Sequence, residues 1–300
     1  MPDSLPVLEV CVDSLGSARS AVAGGADRLE LCSALSSGGL TPSPALTRSV
    51  CALGVPVHVL IRTREGPFSY TPDEVEVMVE EIRDAAQAGA AGVVVGALDA
   101  GGGLDAAAMR RWAEIAAGAG VRAVCHRAFD LRTDLTGSLE QLQAWGYSGV
   151  LTSGGAPGAL AGADRLRRLR EQARPGFEVL AGGVRPEGLA ELLRRSGVTA
   201  VHGSFSALWP AESPATSLGF DLRERRTDAE QVAQARRILR VAAASQVPAT
   251  QPDQREEWET LGSSGTQSLG RLAAECRGMN RSAYPAQYIS GAVHIWHSAL

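Results

Sequence analysis

The chain has 300 residues, of which 45% are hydrophobic, and a net charge of −4, so it can bury a large α/β core but offers no broad surface for nucleic-acid phosphates. All 29 basic residues are arginine, which excludes the usual forms of a Schiff-base aldolase and a P-loop NTPase, because each uses a lysine. Five cysteines without close spacing, an N-terminus without a secretion-signal pattern and the lack of a long apolar run predict a cytoplasmic protein that does not enter membranes.

The first two strands are predicted at 8–12 and 29–33, with a helical segment between them. A connection of this length predicts a right-handed crossover, which makes the strands parallel neighbours. Alternation then gives each strand one face with a glutamate and a cysteine. These residues are Glu9 and Cys11 on the first strand, and Glu30 and Cys32 on the second. A carboxylate within an apolar strand costs free energy unless a partner meets it, so the repeated pair indicates a site.

Six further strand–helix units follow, and capping residues such as Ser43, Thr71 and Asp105 mark where helices begin. Eight alternating units within about 235 residues predict an α/β fold of the (β/α)8 TIM-type barrel class, with a doubly wound open sheet as the alternative. The remaining predicted strands cover 56–62, 92–96, 121–126, 149–152, 177–181 and 199–202. The later predicted helices cover 136–145, 160–173, 186–197 and 228–243.

From about residue 245 the composition shifts to Gln, Ser, Thr, Gly and Pro, which is typical of a poorly ordered or partly helical tail. The sequence therefore predicts a barrel domain over 1–244 and a tail over 245–300. His294 and His297 have the spacing of two metal ligands on a helix, but nothing around them supports a site, so we interpret them as incidental.

Polar and ionisable residues cluster where the predicted strands end. In a barrel of this type, residues at the carboxyl ends of the strands are typical of function, and those at the opposite rim of structure. We therefore expect a ligand-binding mouth, and the alternative is a barrel interior held together by salt bridges. In chain order these residues are Glu9, Cys11, Glu30, Cys32, His58, Arg62, Arg64, His126, Arg127, Asp130, Thr152, Ser153, Gly182, Gly183, His202 and Ser204.

Two glycine loops follow the sixth and seventh predicted strands. The first carries Ser153 and Gly154, and the second carries Gly182 and Gly183. Loops at these positions bind phosphate through backbone N–H groups in many barrels, so an anion site is one interpretation. A plain turn is the other.

Cys11 and Cys32 occupy matching positions of adjacent predicted strands, so we expect their sulfur atoms to lie close together. Two soft thiolates suit Cu(I). Zinc favours four ligands, and neither a Cys-x-x-Cys motif nor a third nearby cysteine supplies them. The opposing interpretation is that each cysteine is a small apolar filler of the core.

Six segments, met in order along the chain, resemble the CutC family, whose members are usually called copper homeostasis proteins. They are LEVCVDS at 8–14, GADRLELC at 25–32, GGLTPS at 38–43, VHVLIR at 57–62, HRAFD at 126–130 and VLTSG at 150–154. The resemblance implies a TIM-type barrel, a cytoplasmic and commonly oligomeric protein, and a Cu(I) site on Cys11 and Cys32. The chain departs from the family pattern at 62–68, where an aspartate is lost, and at Gly203, where the family usually has serine or cysteine.

Two functions stay open at this point. The first is a copper-binding protein with Cys11 and Cys32 as ligands. The second is a barrel enzyme for a small anionic metabolite, such as a phosphorylated one, with Glu9 or Glu30 as general base and His126 as acid or electrophile. The resemblance adds a homo-oligomer, a dimer or tetramer, and neither function needs nucleic acid or a membrane as partner. The residues expected to bind substrate or anion are His58, Arg62, Arg64, Arg127, Asp130, Ser153, Gly154, Gly182, Gly183 and His202.

Overall fold

Eight parallel strands close into a barrel in chain order, as the sequence predicts. The computed structural model describes residues 5–209 and 224–244, so the predicted tail, with His294 and His297, lies outside the described residues. The barrel strands are β1 Val7–Val12, β2 Arg28–Leu31, β3 Val57–Leu60, β4 Gly92–Val95, β5 Arg122–Cys125, β6 Gly149–Thr152, β7 Glu178–Gly182 and β8 Ala200–Gly203.

Helices connect the strands and pack against the outside of the barrel. They are α1 Leu15–Ala23, α2 Pro44–Cys51, α3 Pro72–Gln87, α4 Ala106–Gly118, α5 Leu135–Ala144, α6 Ala163–Gln172, α7 Leu189–Ser196 and α8 Ala229–Ala244. Ser43, Thr71 and Asp105 accept backbone N–H groups at helix starts, as predicted. The seventh helix begins three residues later than predicted, because Gly188 takes a left-handed conformation (φ 77°) that breaks the first turn. Among the described residues, no helix has the length and apolarity needed to cross a membrane.

The structure also contains short elements that were not predicted, among them a hairpin and a 3-10 helix. A short antiparallel hairpin, β9 Ser206–Trp209 with β10 Glu224–Thr227, follows the last barrel strand. A 3-10 helix, Arg127–Leu131, follows β5 and brings Asp130 toward the loop after β6. Both are too short for a periodic pattern to reveal them in the sequence.

Side chains of the strands alternate between the barrel interior and the helix layer. Outward-facing residues such as Val10 are fully buried in the main apolar core. Inward-facing positions carry most of the polar groups, and two glycines of the β4 region leave room for two imidazoles. A Cβ atom on Gly92 would lie 2.7 Å from His58 Cδ2, and one on Gly96 would lie 2.6 Å from His126 Nδ1. Glycine at these two positions thus leaves space in the barrel interior for the imidazoles of His58 and His126.

Candidate functional site

The strand register decides which of the predicted residues meet inside the barrel. β1 pairs in parallel with both β2 and β8, so the predicted pairing of the first two strands is confirmed. Cys11, however, lies opposite Glu30 and not opposite Cys32, because closure of a barrel staggers neighbouring strands. The expectation of matching cysteine positions is therefore wrong by two residues.

The two cysteine sulfurs nevertheless lie close together, with Cys11 Sγ 3.9 Å from Cys32 Sγ. Both cysteines are buried, and the apolar residues packed around them are Leu60, Val94, Val124 and Leu35. The hydrogen bond with Cys32, burial and the charge of Glu30 together raise the pKa of the Cys11 thiol well above its usual range. The Cys11 thiol is thus protonated in the free protein, and the two buried sulfurs are close enough to share one metal ion.

Glu9 is at the centre of a buried ionic network whose members lie on β1, β2 and β8. Arg28 Nε donates to Glu9 Oε2, and His202 Nδ1 lies 2.7 Å from Glu9 Oε1. Burial acts to raise the pKa of Glu9, but the His202 hydrogen bond and the Arg28 charge outweigh it and lower this pKa to about 2. Glu9 is therefore a fixed anion near neutral pH, which does not suit the predicted role of general base.

Arg28 and Glu178, which the sequence reasoning missed, extend this network. Arg28 Nη2 donates to Glu178 Oε1 at 2.6 Å. Each is the first residue of its strand, so both lie at the rim formed by the amino ends of the strands. The predicted mouth is at the opposite rim, which the carboxyl ends form. Arg28 lies two residues before Glu30 and so shares its inward face, which is the signal that alternation offered. Near the amino ends of the strands, the barrel interior therefore fits the alternative prediction of an interior held together by salt bridges.

Glu30 and His202 form the upper part of the same cluster. His202 Nε2 is 3.5 Å from Glu30 Oε2. Burial raises the pKa of Glu30, and the charge of Glu9 adds to the rise against the opposing effect of His202. Burial acts to lower the pKa of His202, but the charges of Glu30 and Glu9 outweigh it and raise this pKa.

A set of three different ligand atoms results from this packing. One atom from each of Cys11, Glu30 and His202 lies within 4.8 Å of the other two, and all three residues are buried. It is the one group of three or more Cys, His, Asp or Glu with metal-ligand spacing in the part of the chain that the structure describes. All three residues were predicted from the sequence as site residues, but not as members of one metal-binding group.

Two further histidines are buried as neutral imidazoles. His58 Nδ1 is 3.5 Å from Glu9 Oε2, and His126 Nδ1 accepts a hydrogen bond from the Ala128 N–H at 3.1 Å. Burial lowers the pKa of each imidazole to about 4. Within the described residues, no hydrogen bond or ion pair joins His126 to Glu9 or Glu30. The structure therefore does not bring the predicted acid–base trio together.

The arginines predicted to hold an anion after β3 already have partners within the chain. Arg62 donates to the carbonyl oxygens of Gly39 at 3.1 Å and Gly66 at 2.9 Å. Arg64 makes a two-point ion pair with Glu74 at the start of α3. Both arginines therefore stabilise the loop between β3 and α3.

The glycine loop after β6 binds an anion that belongs to the chain itself. The backbone N–H groups of Ser153 and Gly155 donate to the Asp130 carboxylate at 3.0 and 2.9 Å. The Thr152 hydroxyl and Arg127 Nε also donate to this carboxylate. Burial acts to raise the pKa of Asp130, but these donors outweigh it and lower the pKa. The donors expected to bind a phosphate are therefore taken by Asp130.

The remaining predicted glycines serve close packing and turns. The Gly154 N–H donates to Thr152 Oγ1 at 2.9 Å, and a Cβ on Gly182 would lie 2.9 Å from Leu151 Cδ1. Gly183 has a φ of 73° and lines a cavity of about 160 Å³ between the loop before α6 and the start of α7. A left-handed backbone favours glycine at this position.

The CutC family profile matches residues 6–207 of this sequence. A family protein named CutC from Caulobacter vibrioides is 44% identical over 214 residues, which are 71% of this chain and 86% of that protein. A second, from Agrobacterium fabrum, is 42% identical over 240 residues, which are 78% of this chain and 94% of that protein. The match thus covers the barrel.

Solved structures agree. CutC from Streptococcus agalactiae superposes with a TM-score of 0.63 and 28% identity, covering 66% of this chain and 98% of that one. The octameric ribulose-1,5-bisphosphate carboxylase/oxygenase of Pyrococcus horikoshii has a TM-score of 0.54 at 15% identity, covering 82% of this chain and 61% of that one, which reflects a shared barrel fold alone. From the profile, the relatives and the barrel geometry together, the chain belongs to the CutC family.

Proposed function

We propose that this protein binds Cu(I) as its cargo through Cys11 and Cys32. The observation that carries the proposal is the distance of 3.9 Å between their sulfur atoms. A metal–thiolate bond of about 2.3 Å, as zinc makes, lets one ion bridge two sulfurs up to about 4.6 Å apart. A single ion can therefore bond to both sulfur atoms.

The surroundings of the pair also suit Cu(I). Thiolates are soft ligands that select this ion, and Leu60, Val94 and Val124 pack around the buried sulfurs and shield them from water. Because the Cys32 hydrogen bond and burial raise the pKa of Cys11, metal binding must release a proton from this thiol. The apparent affinity for Cu(I) is therefore expected to rise with pH.

The relatives point the same way. The Streptococcus agalactiae structure carries a provisional description as a copper homeostasis protein. We place the function in the reducing cytoplasm, because Cys11, Cys32, Cys51 and Cys125 are free thiols. We also propose a homo-oligomer of two or four chains, on the strength of the family resemblance. Light scattering from the full chain tests this state, and a monomeric mass at all concentrations would refute it.

Competition for Cu(I) tests the cysteine pair. The reduced full chain, its Cys11→Ser and Cys32→Ser variants and the double variant are titrated with Cu(I) against a chelator of known affinity. We expect each single variant to lose tight binding. Cys51→Ser is the matched control, because Cys51 is a half-buried free thiol at the end of α2, and it should bind as the wild type does. Wild-type affinity in the double variant would refute the proposal.

The acid–base enzyme receives less support from this geometry. The anion clamps predicted on Arg62 and Arg64 are bonded to carbonyl oxygens and to Glu74, and Asp130 takes the donors of the β6 loop. His126 does not contact the glutamates. A thermal-shift screen with phosphate and phosphorylated metabolites addresses this alternative, and clear stabilisation by one of them would revive it.

A further inference from the structure

We propose that Cys11, Glu30 and His202 form a second metal site, for a divalent cation of the zinc type, which shares Cys11 with the copper pair. The site does not depend on copper binding, since two of its three ligands lie outside the cysteine pair. It rests on the convergence of a sulfur, a carboxylate oxygen and an imidazole nitrogen from three neighbouring strands.

The donor set is one that zinc takes readily. Zinc binds Cys sulfur, His nitrogen and Glu oxygen, and sites with three protein ligands keep a fourth position open. The three ligand atoms lie within 4.8 Å of one another, and His202 Nε2 is 3.5 Å from Glu30 Oε2. Small side-chain rotations would therefore bring all three atoms to bonding distance of one ion.

The contact between His202 and Glu9 supports this assignment independently. An ionised carboxylate only accepts hydrogen bonds, so Nδ1 of His202 carries the proton in its 2.7 Å contact with Glu9. When the imidazole is neutral, as a metal ligand must be, the lone pair is then on Nε2, the nitrogen that faces Glu30. A histidine that binds zinc usually donates its other ring N–H to a carboxylate, as His202 does to Glu9. Arg28 in turn fixes Glu9 from the other side.

Ligand type separates the two sites. The carboxylate oxygen of Glu30 and the imidazole nitrogen of His202 suit a divalent cation of the zinc type, whereas two soft thiolates suit Cu(I). Cys32 is not part of the three-atom group, and its Sγ–H donates to the Val12 carbonyl oxygen at 3.6 Å. Since Cys11 is common to both sets, a zinc-type ion and Cu(I) are expected to exclude each other.

The test uses Co²⁺ as a visible substitute for Zn²⁺ on the reduced full chain. We expect one equivalent of Co²⁺ to give thiolate charge-transfer absorption, and Zn²⁺ and Cu(I) each to remove it. Loss of an outer-layer partner weakens metal binding about 10–100-fold, so loss of a direct ligand in His202→Gln or Glu30→Gln should weaken Co²⁺ binding by more than about 100-fold. Circular dichroism confirms that each variant is folded.

The variants separate this inference from the copper proposal. Cys32→Ser should abolish tight Cu(I) binding and keep Co²⁺ binding, His202→Gln should do the reverse, and Cys11→Ser should lose both. Cys51→Ser is the control that keeps both. Unchanged Co²⁺ affinity in folded His202→Gln and Glu30→Gln, or loss of Co²⁺ in Cys32→Ser, would overturn the site and leave the copper pair untouched. Failure of Cu(I) binding alone would overturn only the copper pair.

Discussion

Two regions of the barrel contain similar polar side chains but differ in what those side chains contact. On the β5–β6 side, the Asp130 carboxylate accepts from backbone N–H groups, a hydroxyl and a guanidinium. On the β1–β2–β8 side, Cys11, Glu30 and His202 present ligand atoms to one another. In the first arrangement the chain itself supplies the partners of the carboxylate, whereas in the second a bound cation would be the common partner of the three ligand atoms. A polar residue at a strand end therefore indicates function only when the chain does not already supply its partner.

The largest expected effect is on stability, from removing the arginine at the base of the ionic network. Arg28→Met leaves Glu9 and Glu178 without their shared cation in a buried place. Breaking a buried pair in this way costs about 3–5 kcal/mol, which urea unfolding at neutral pH would measure as a lower free energy of unfolding. Arg64→Met is the matched control, since its ion pair with Glu74 is partly exposed, and it should cost far less. Equal losses would contradict the distinction.

The next effect is a pH dependence that belongs to the buried histidines. Burial lowers the pKa of His126 to about 4 from an ordinary value of 6.5, so the unfolded chain binds its proton first as the pH falls. The free energy of unfolding is then expected to fall between pH 6.5 and 4, by up to about 1.4 kcal/mol per pH unit for each such histidine. His58 contributes in the same window, because burial lowers its pKa to about 4 as well.

His126→Asn keeps an acceptor for the Ala128 N–H and removes one of the two titrations, so it should reduce this pH slope to the part that His58 contributes. Glu9 acts in a lower window. Its pKa is lowered from 4.5 to about 2, so its contribution is fully present above pH 4.5 and is lost as the pH falls toward 2. Comparison of the wild type with His126→Asn by chemical unfolding at pH 6.5, 5.5 and 4.5 therefore isolates the His126 contribution, and an unchanged slope in the variant would contradict the assignment.

A smaller effect is expected on the satisfied side of the comparison. Asp130→Asn removes the charge that its hydrogen-bond donors share, and hydrogen bonds to a charged group contribute about 1.5–3 kcal/mol, so we expect a loss of about 2 kcal/mol. Cu(I) and Co²⁺ affinities should stay at wild-type values, because Asp130 contacts neither metal set. Asp99→Asn is the control, as this exposed carboxylate accepts one N–H, from Gly103. Weaker metal binding in Asp130→Asn would show that the two regions are coupled.

Much of this architecture could be predicted from the chain, because it depends on local patterns. Strand alternation placed Glu9 and Cys11 on the inner face, and Ser43, Thr71 and Asp105 marked helix starts. These features follow from hydrogen bonds and side-chain directions within a few residues. The eightfold repetition then led to a closed barrel.

The partners inside the barrel could not be predicted in the same way. The stagger that puts Cys11 opposite Glu30 is a property of the closed sheet, and local alternation is compatible with other registers. His202 meets Glu9 across 193 positions of sequence, and Asp130 reaches its loop from an unpredicted 3-10 helix. Each of these contacts depends on non-local packing, so His126 was chosen as the acid–base histidine although His202 stands beside the glutamates.

The smallest expected stability effect gives the sharpest comparison, because it concerns two buried cysteines on opposite sides of the barrel wall. Cys32 Sγ faces the Val12 carbonyl oxygen at 3.6 Å inside the barrel, and Cys125 Sγ faces the His126 carbonyl oxygen at 3.5 Å in the helix layer. A serine at either position keeps a donor for that oxygen, so each variant should lose only about 1 kcal/mol. Thermal unfolding measures this loss, and the Cu(I) titration measures the function.

Only Cys32→Ser should weaken Cu(I) binding, because Cys125 lies in the apolar layer outside the barrel wall. If Cys125→Ser weakened Cu(I) binding as much as Cys32→Ser did, the loss would follow from lower stability rather than from a missing ligand. Equal stability with unequal affinity would instead show that the inner position, and not burial or the thiol as such, makes a cysteine of this barrel a ligand.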